Sequence, residues 1–188
     1  MKDDLRLAEY AALRATIRER GSVRMCAILV GLVAWAALAL GLALSELSRA
    51  STLVPLLVLA TTFEISFFLH TGVERVGRYI QVFYEEISGD GWEHIIMLYG
   101  KHNPGGADPL FTRLFGMAAV VNFATSFGAA ARHPGWIPIS LVAHLVLGWR
   151  FTQARRLAAS QRALDLERFR DLKGPSSPTN WVEETKNC

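Results

Sequence analysis

Residues 52–70 read TLVPLLVLATTFEISFFLH, and Glu64 is the only acidic side chain among them. The run nearly matches the ~20 residues that an α-helix needs to cross a ~30 Å hydrocarbon core. A carboxylate inside such a helix costs roughly 2.5–3.5 kcal/mol on insertion scales. The stretch therefore reads as a membrane span with a polar exception, and the exception needs a partner.

Three further apolar blocks accompany it. Residues 25–44 are uncharged and long enough to span, as are 114–131. Residues 136–149 number only fourteen, which covers ~21 Å at ~1.5 Å per residue. That block spans only with help from its flanks, Arg150 snorkelling toward the headgroups. The first block follows a long leader carrying Asp3, Asp4, Glu9 and Glu19, which favours an uncleaved anchor over a signal peptide.

Charge orients the blocks. Eighteen of the twenty Lys and Arg residues lie before the first block, between the second and third, or after the fourth. The two short remaining connections hold one each, Arg49 and Arg132. By the positive-inside rule both termini and the central loop are cytoplasmic, which requires an even number of spans. The expected fold is thus all-α: a polytopic cell-membrane protein with four transmembrane helices and cytoplasmic helical extensions. Its parts are an N-terminal helix (1–24), a bundle (25–149) with a cytoplasmic loop (71–113), and a C-terminal helix and tail (150–188).

The composition is 51% hydrophobic and 20% charged, with a formal net charge of +3. Basic flanks of membrane helices explain that charge through insertion and anionic lipid, so no nucleic-acid partner is expected. Cys26 and Cys188 form neither a disulfide framework nor a paired metal motif.

Local signals fill in the extensions. Gly21-Ser22 is expected to break the N-terminal helix before the membrane. After His70, apolar or small residues at 73, 76, 77, 80, 83, 84 and 87 make an amphipathic stripe. Arg78, Gln81 and Glu85 fall on its polar side, and Glu74–Arg78 has favourable i, i+4 spacing. This segment either extends the second span or bends at Gly72 onto the leaflet, extension being favoured. Residues 92–100 form a short amphipathic turn or two, and Asp108-Pro109 starts the helix that enters the third span. Small-xxx-small spacing at Ala37/Gly41 and Ala124/Gly128 allows close helix approach.

Two groups of polar residues stand out. Glu64 and His144 each lie six residues before a cytoplasmic span end, hence ~9 Å inside the boundary. They are expected to pair, with Asn122 joining from the third span. His70 and Glu74, with His94 and His102, form the second group at the cytoplasmic boundary. Its spacing matches no standard metal motif.

The favoured function is non-enzymatic: an oligomeric ion- or proton-conducting assembly, or a membrane effector, built around the intramembrane Glu/His site. It implies the lipid bilayer and either further copies of the chain or a partner membrane protein, and no cofactor. The alternatives are a metal- or lipid-dependent membrane enzyme using the boundary histidines, and an accessory subunit that docks a partner.

Overall fold

The computed structural model describes residues 2–44, 53–86, 91–102, 109–130 and 135–174, and every element among them is helical. In chain order these are α1 (Lys2–Leu44), α2 (Leu53–Ile80), α3 (Trp92–His102), α4 (Pro109–Ala130) and α5 (Trp136–Lys173). A π-helical turn, Gln81–Glu85, continues α2 without interruption. Two of the helices, Asp3–Leu44 and Leu53–Glu85, are long and apolar enough to cross a membrane. The connections holding Arg49 and Arg132, the Asp108 cap and the tail from 175 lie outside the described residues.

The expected break at Gly21-Ser22 is absent, and α1 runs unbroken for 43 residues. One glycine costs a helix only about 1 kcal/mol, which the packing of α1 along α2 outweighs. Residues 71–80 extend α2 rather than bending at Gly72. Likewise the apolar stretch 136–149 and the charged stretch after it form one helix of 38 residues, α5. Gly174 ends α5 at φ 63°, a left-handed conformation that suits glycine, and its N–H caps the carbonyls of Arg170 and Asp171.

Bonded pairs define the directions. Arg24 meets His70, Arg14 meets Glu93 and Arg6 meets the Phe83 carbonyl, so α1 runs antiparallel to α2. Glu64 meets Arg150, Arg78 meets Asp165 and Lys173 meets the Val82 carbonyl, so α2 and α5 run parallel. α2 touches every other helix and is the centre of the fold. Around it Ile28, Leu59, Phe63, Phe115, Leu147 and Phe151 form a core, with the Phe63 ring 4.5 Å from that of Phe151 and edge-on to Phe115 at 5.5 Å.

The stripe expected after His70 is only part of what is covered. Gly77 and Ile80 on it are buried, but so are Arg78, Gln81 and Glu85 from the expected polar side, while Phe83 and Tyr84 are half-buried. α2 and its π-helical turn have neighbours on several sides, α3 and α5 among them, so the polar side is packed as well. The sequence also understates α3, which reaches His102 and opens on a cap from outside: the His94 N–H donates to Glu85 Oε2 at 3.0 Å.

Close approach of α1 and α2 occurs at Gly31, not at Gly41. A Cβ added at Gly31 would fall on the Thr62 side chain, which its own hydrogen bond to the Val58 carbonyl (2.7 Å) holds in place. A Cβ at Gly41 would meet nothing within 4 Å. Gly31→Val should therefore destabilise the chain by about 1–3 kcal/mol through overpacking, read as a lower melting temperature in detergent, while Gly41→Ala should be neutral or stabilising, by up to about 1 kcal/mol.

Candidate functional site

Glu64 faces the seam between α2 and α5. Its partner is Arg150, not the expected His144. Arg150 Nε donates to Glu64 Oε1 at 2.6 Å and Nη2 to Oε2 at 2.7 Å, a two-pronged pairing that satisfies both carboxylate oxygens. The guanidinium also lies over the Phe67 ring, 5.3 Å from its centroid. Side chains on a helix tilt toward its N-terminus, so Arg150 reaches back along α5 toward Glu64 rather than onward to the charged half. That is why the expected snorkelling in the other direction does not occur. The pair is only partly enclosed, with 46% of the Glu64 side chain and 29% of the Arg150 side chain exposed.

His144 belongs to a second string of polar groups. The Trp35 indole N–H donates to Asn122 Oδ1 at 3.1 Å, and Asn122 Nδ2 lies 3.2 Å from His144 Nε2. Indole donates only, which fixes the orientation of the Asn122 amide. Its NH2 group then faces His144, so Nε2 must carry the lone pair. The ring proton sits on Nδ1, which donates to the Ser140 carbonyl at 2.7 Å. The string is directional, joins α1, α4 and α5, and holds a neutral imidazole. It is well built as a clasp.

The boundary residues divide. His70 and Glu74 lie together, Nε2 to Oε1 at 3.5 Å. Arg24 Nη1 donates to His70 Nδ1 at 2.8 Å. An arginine offers no acceptor, so Nδ1 carries a lone pair and His70 is neutral in this arrangement. Glu74 continues to Arg78 Nη2 (2.6 Å), and Arg78 Nη1 to Asp165 Oδ2 (2.7 Å). His94 sits apart at the start of α3, and His102 lies at its end with Nδ1 2.9 Å from the Leu98 carbonyl. Among the described residues no group of three or more His, Cys, Asp or Glu side chains could hold a metal ion.

The sequence also left unnamed the charged end of the bundle. Tyr79, Phe83 and Phe169 pack ring to ring, and the Tyr79 hydroxyl donates to Glu9 at 3.1 Å. Burial, reinforced by the Glu9 carboxylate, pushes the Tyr79 and Tyr84 phenols up. Burial likewise raises the Glu93 carboxyl, against the pull of Arg14 at 2.7 Å. No protein-family model, curated protein or solved structure matches the chain.

Two outcomes follow. Arg150→Gln leaves Glu64 without its cation in apolar surroundings and should cost more stability than Glu64→Gln. The double substitution should recover part of that loss, and additive effects in a double-mutant cycle would show that the two groups act separately. The second concerns the end of α5. Lys173 and Arg170, each 3.0 Å from Glu86, hold its carboxyl below the usual range, Lys173 most strongly, with burial opposing. A depressed carboxyl stabilises the fold above its ordinary value near ~4.3 and loses that contribution as pH falls through its lower folded value. Spin labels at the exposed positions Ala11 and Arg168 should accordingly keep one sharp distance at pH 7 and broaden only once the pH falls below the ordinary carboxylate range.

Proposed function

We propose that the chain is a four-span cell-membrane protein with both termini cytoplasmic, acting without catalysis as an effector that docks a cytoplasmic partner on a stalk continuous with its spans. One observation carries this reading. α1, α2 and α5 each pass without a break from a half with exposed apolar side chains to a half held by ion pairs and aromatic rings. Val33 and Leu40 on α1, Leu57 and Phe68 on α2, and Val142 and Leu145 on α5 are exposed, as lipid-facing residues are. Met117, Val120 and Val121 give α4 a similar outward face. In water such surfaces would be an aggregation liability, whereas hydrocarbon covers them without cost.

The change of character falls at matching levels, near Met25, His70 and Arg150. The positive-inside count supports the same frame from the sequence. Beyond those levels α1 is tied to the α2 segment by Arg6–Phe83 and Glu9–Tyr79, and that segment to α5 by Arg78–Asp165 and Arg170–Glu86. Such a stalk transmits a displacement of its spans to whatever it holds. The conducting alternative has less behind it: both oxygens of Glu64 are engaged by Arg150, and His144 is neutral within a string that begins on a non-titrating indole.

Topology and conduction are tested on the same preparations. With Cys26 and Cys188 replaced by Ser, single cysteines at Ala12, Glu74 and Ala159 should react with an impermeant maleimide only from the cytoplasmic face. Cysteines at Ser48 and His133 should react only from outside. Labelling of Ala159 from outside would reduce the chain to an odd number of spans and end the four-span reading. In proteoliposomes proton flux should stay at the level of empty vesicles, and a flux abolished by Glu64→Gln would restore the conducting reading.

A further inference from the structure

The seam between α2 and α5 opens into a groove of about 460 Å³, within the ~300–1,000 Å³ typical of small-molecule sites. Leu53, Leu57, Ala60, Ala143 and Leu147 line it, and its polar end is the Glu64–Arg150 pair. From Leu53 to Glu64 the wall runs for eleven residues, ~16 Å at ~1.5 Å per residue. The groove is therefore long, open along one side and mostly apolar, with its charged groups at one end alone.

That end has capacity to spare. A guanidinium carries five N–H donors, and Arg150 spends two of them on Glu64. Each Glu64 oxygen accepts one of those bonds and keeps a further lone pair. Both groups remain partly exposed toward the groove. In hydrocarbon, water does not satisfy what is left over, so an occupant offering one donor and one acceptor side by side is favoured.

We infer that the groove binds a single-chain fatty acid, its alkyl tail along α2 and α5 and its carboxyl head on the Glu64–Arg150 pair. The inference rests on the four-span reading. In its neutral form a carboxylic acid donates its O–H to a Glu64 oxygen and accepts an N–H from Arg150, so no net charge enters the membrane. A fatty alcohol supplies no planar two-point match, and an ester supplies no donor. A phospholipid is excluded by depth: Glu64 lies ~9 Å from the His70 level, too deep for a phosphodiester that must stay hydrated.

The test uses the full chain in phosphatidylcholine nanodiscs with a sixteen-carbon diazirine fatty acid as the probe, adducts being mapped by peptide mass spectrometry. Saturable adducts on residues 53–60 and 143–147, competed by palmitate but not by hexadecanol, are expected. Ala143→Phe fills the groove and leaves the ion pair, while Glu64→Gln with Arg150→Gln removes the charges and leaves the groove. Each should lower saturable labelling roughly tenfold or more, as loss of a hydrogen bond to a charged group does. A single cooperative melting transition and a monodisperse elution peak, at whatever temperature, establish that these variants fold.

Labelling spread evenly over the outer faces of α1 and α4 and insensitive to palmitate would mean ordinary surrounding lipid, and would overturn the site. So would adducts competed by added phosphatidic acid in place of palmitate, or a cross-link between two copies through the groove. Co-flotation of the chain with liposomes separates the two readings. A chain that floats but shows no competition loses only the fatty-acid site, whereas one that does not float loses the membrane reading with it.

Discussion

Arg78 and Asp165 meet at 2.7 Å with the Arg78 side chain 5% and the Asp165 side chain 9% exposed, and the arrangement of α2 against α5 depends on that contact. A buried ion pair contributes little net stability, but losing one partner costs about 3–5 kcal/mol because the other charge stays behind. Its effect is on register. Glu64–Arg150 lies one offset away at 86 residues of separation, Arg78–Asp165 at 87 and Glu86–Arg170 at 84. A slip of one helical turn, ~5.4 Å, would break all three together. Two helices with a constant offset run parallel. The chain between them must then cross back, which α4 does.

The polar groups of the apolar half follow the same logic on a smaller scale. Glu64, Trp35, Asn122 and His144 each have a partner on another helix, whereas Thr62, Thr125 and Ser126 turn back to carbonyls of their own helices. α5 aims Arg150 back along its axis to Glu64. Trp35, a donor without acceptor capacity, orients the Asn122 amide, and the amide sets the tautomer of His144. The Trp35–Asn122–His144 string is satisfied without water, the condition for surviving in hydrocarbon, while the Glu64–Arg150 pair keeps donors and lone pairs to spare. The price is that every substitution strands its neighbour.

Much of the helix content was legible because an uncharged run of twenty residues, as at 25–44, has few other readings. Where one helix stops and another begins was less so. Gly21-Ser22 looked like an end because local propensity is a weak prior, and continuous contact with α2 overrides it. Gly31 gave no signal of its own, since the residue it must clear, Thr62, is on a different helix. At the site, Glu64 announced itself by charge. Its partner was misassigned because depth alone was compared. Arg150 sits at a different level but has a longer side chain, and the N-terminal tilt of helical side chains would have pointed to it. The burial of Arg78, Gln81 and Glu85 was out of reach, because α3 and α5, the helices that cover this side of α2, are set by contacts between helices such as Arg78–Asp165 and Glu85–His94.

Continuity and charge meet at the level of His70. There Arg24 on α1 bonds His70 on α2, His70 faces Glu74, Glu74 bonds Arg78, and Arg78 bonds Asp165 on α5. The string ties the three long helices where their character changes from apolar to ionic. Its first joint differs in kind from the rest. The Arg24 contact requires a lone pair on His70 Nδ1, so a proton gained there turns an acceptor into a donor facing a guanidinium, and the attraction becomes repulsion. The Glu74–Arg78 and Arg78–Asp165 joints are cation–carboxylate contacts, whereas His70 meets Glu74 as a neutral imidazole at 3.5 Å. At this level the tie from α1 thus runs through an imidazole lone pair, while α2 and α5 are joined by an ion pair.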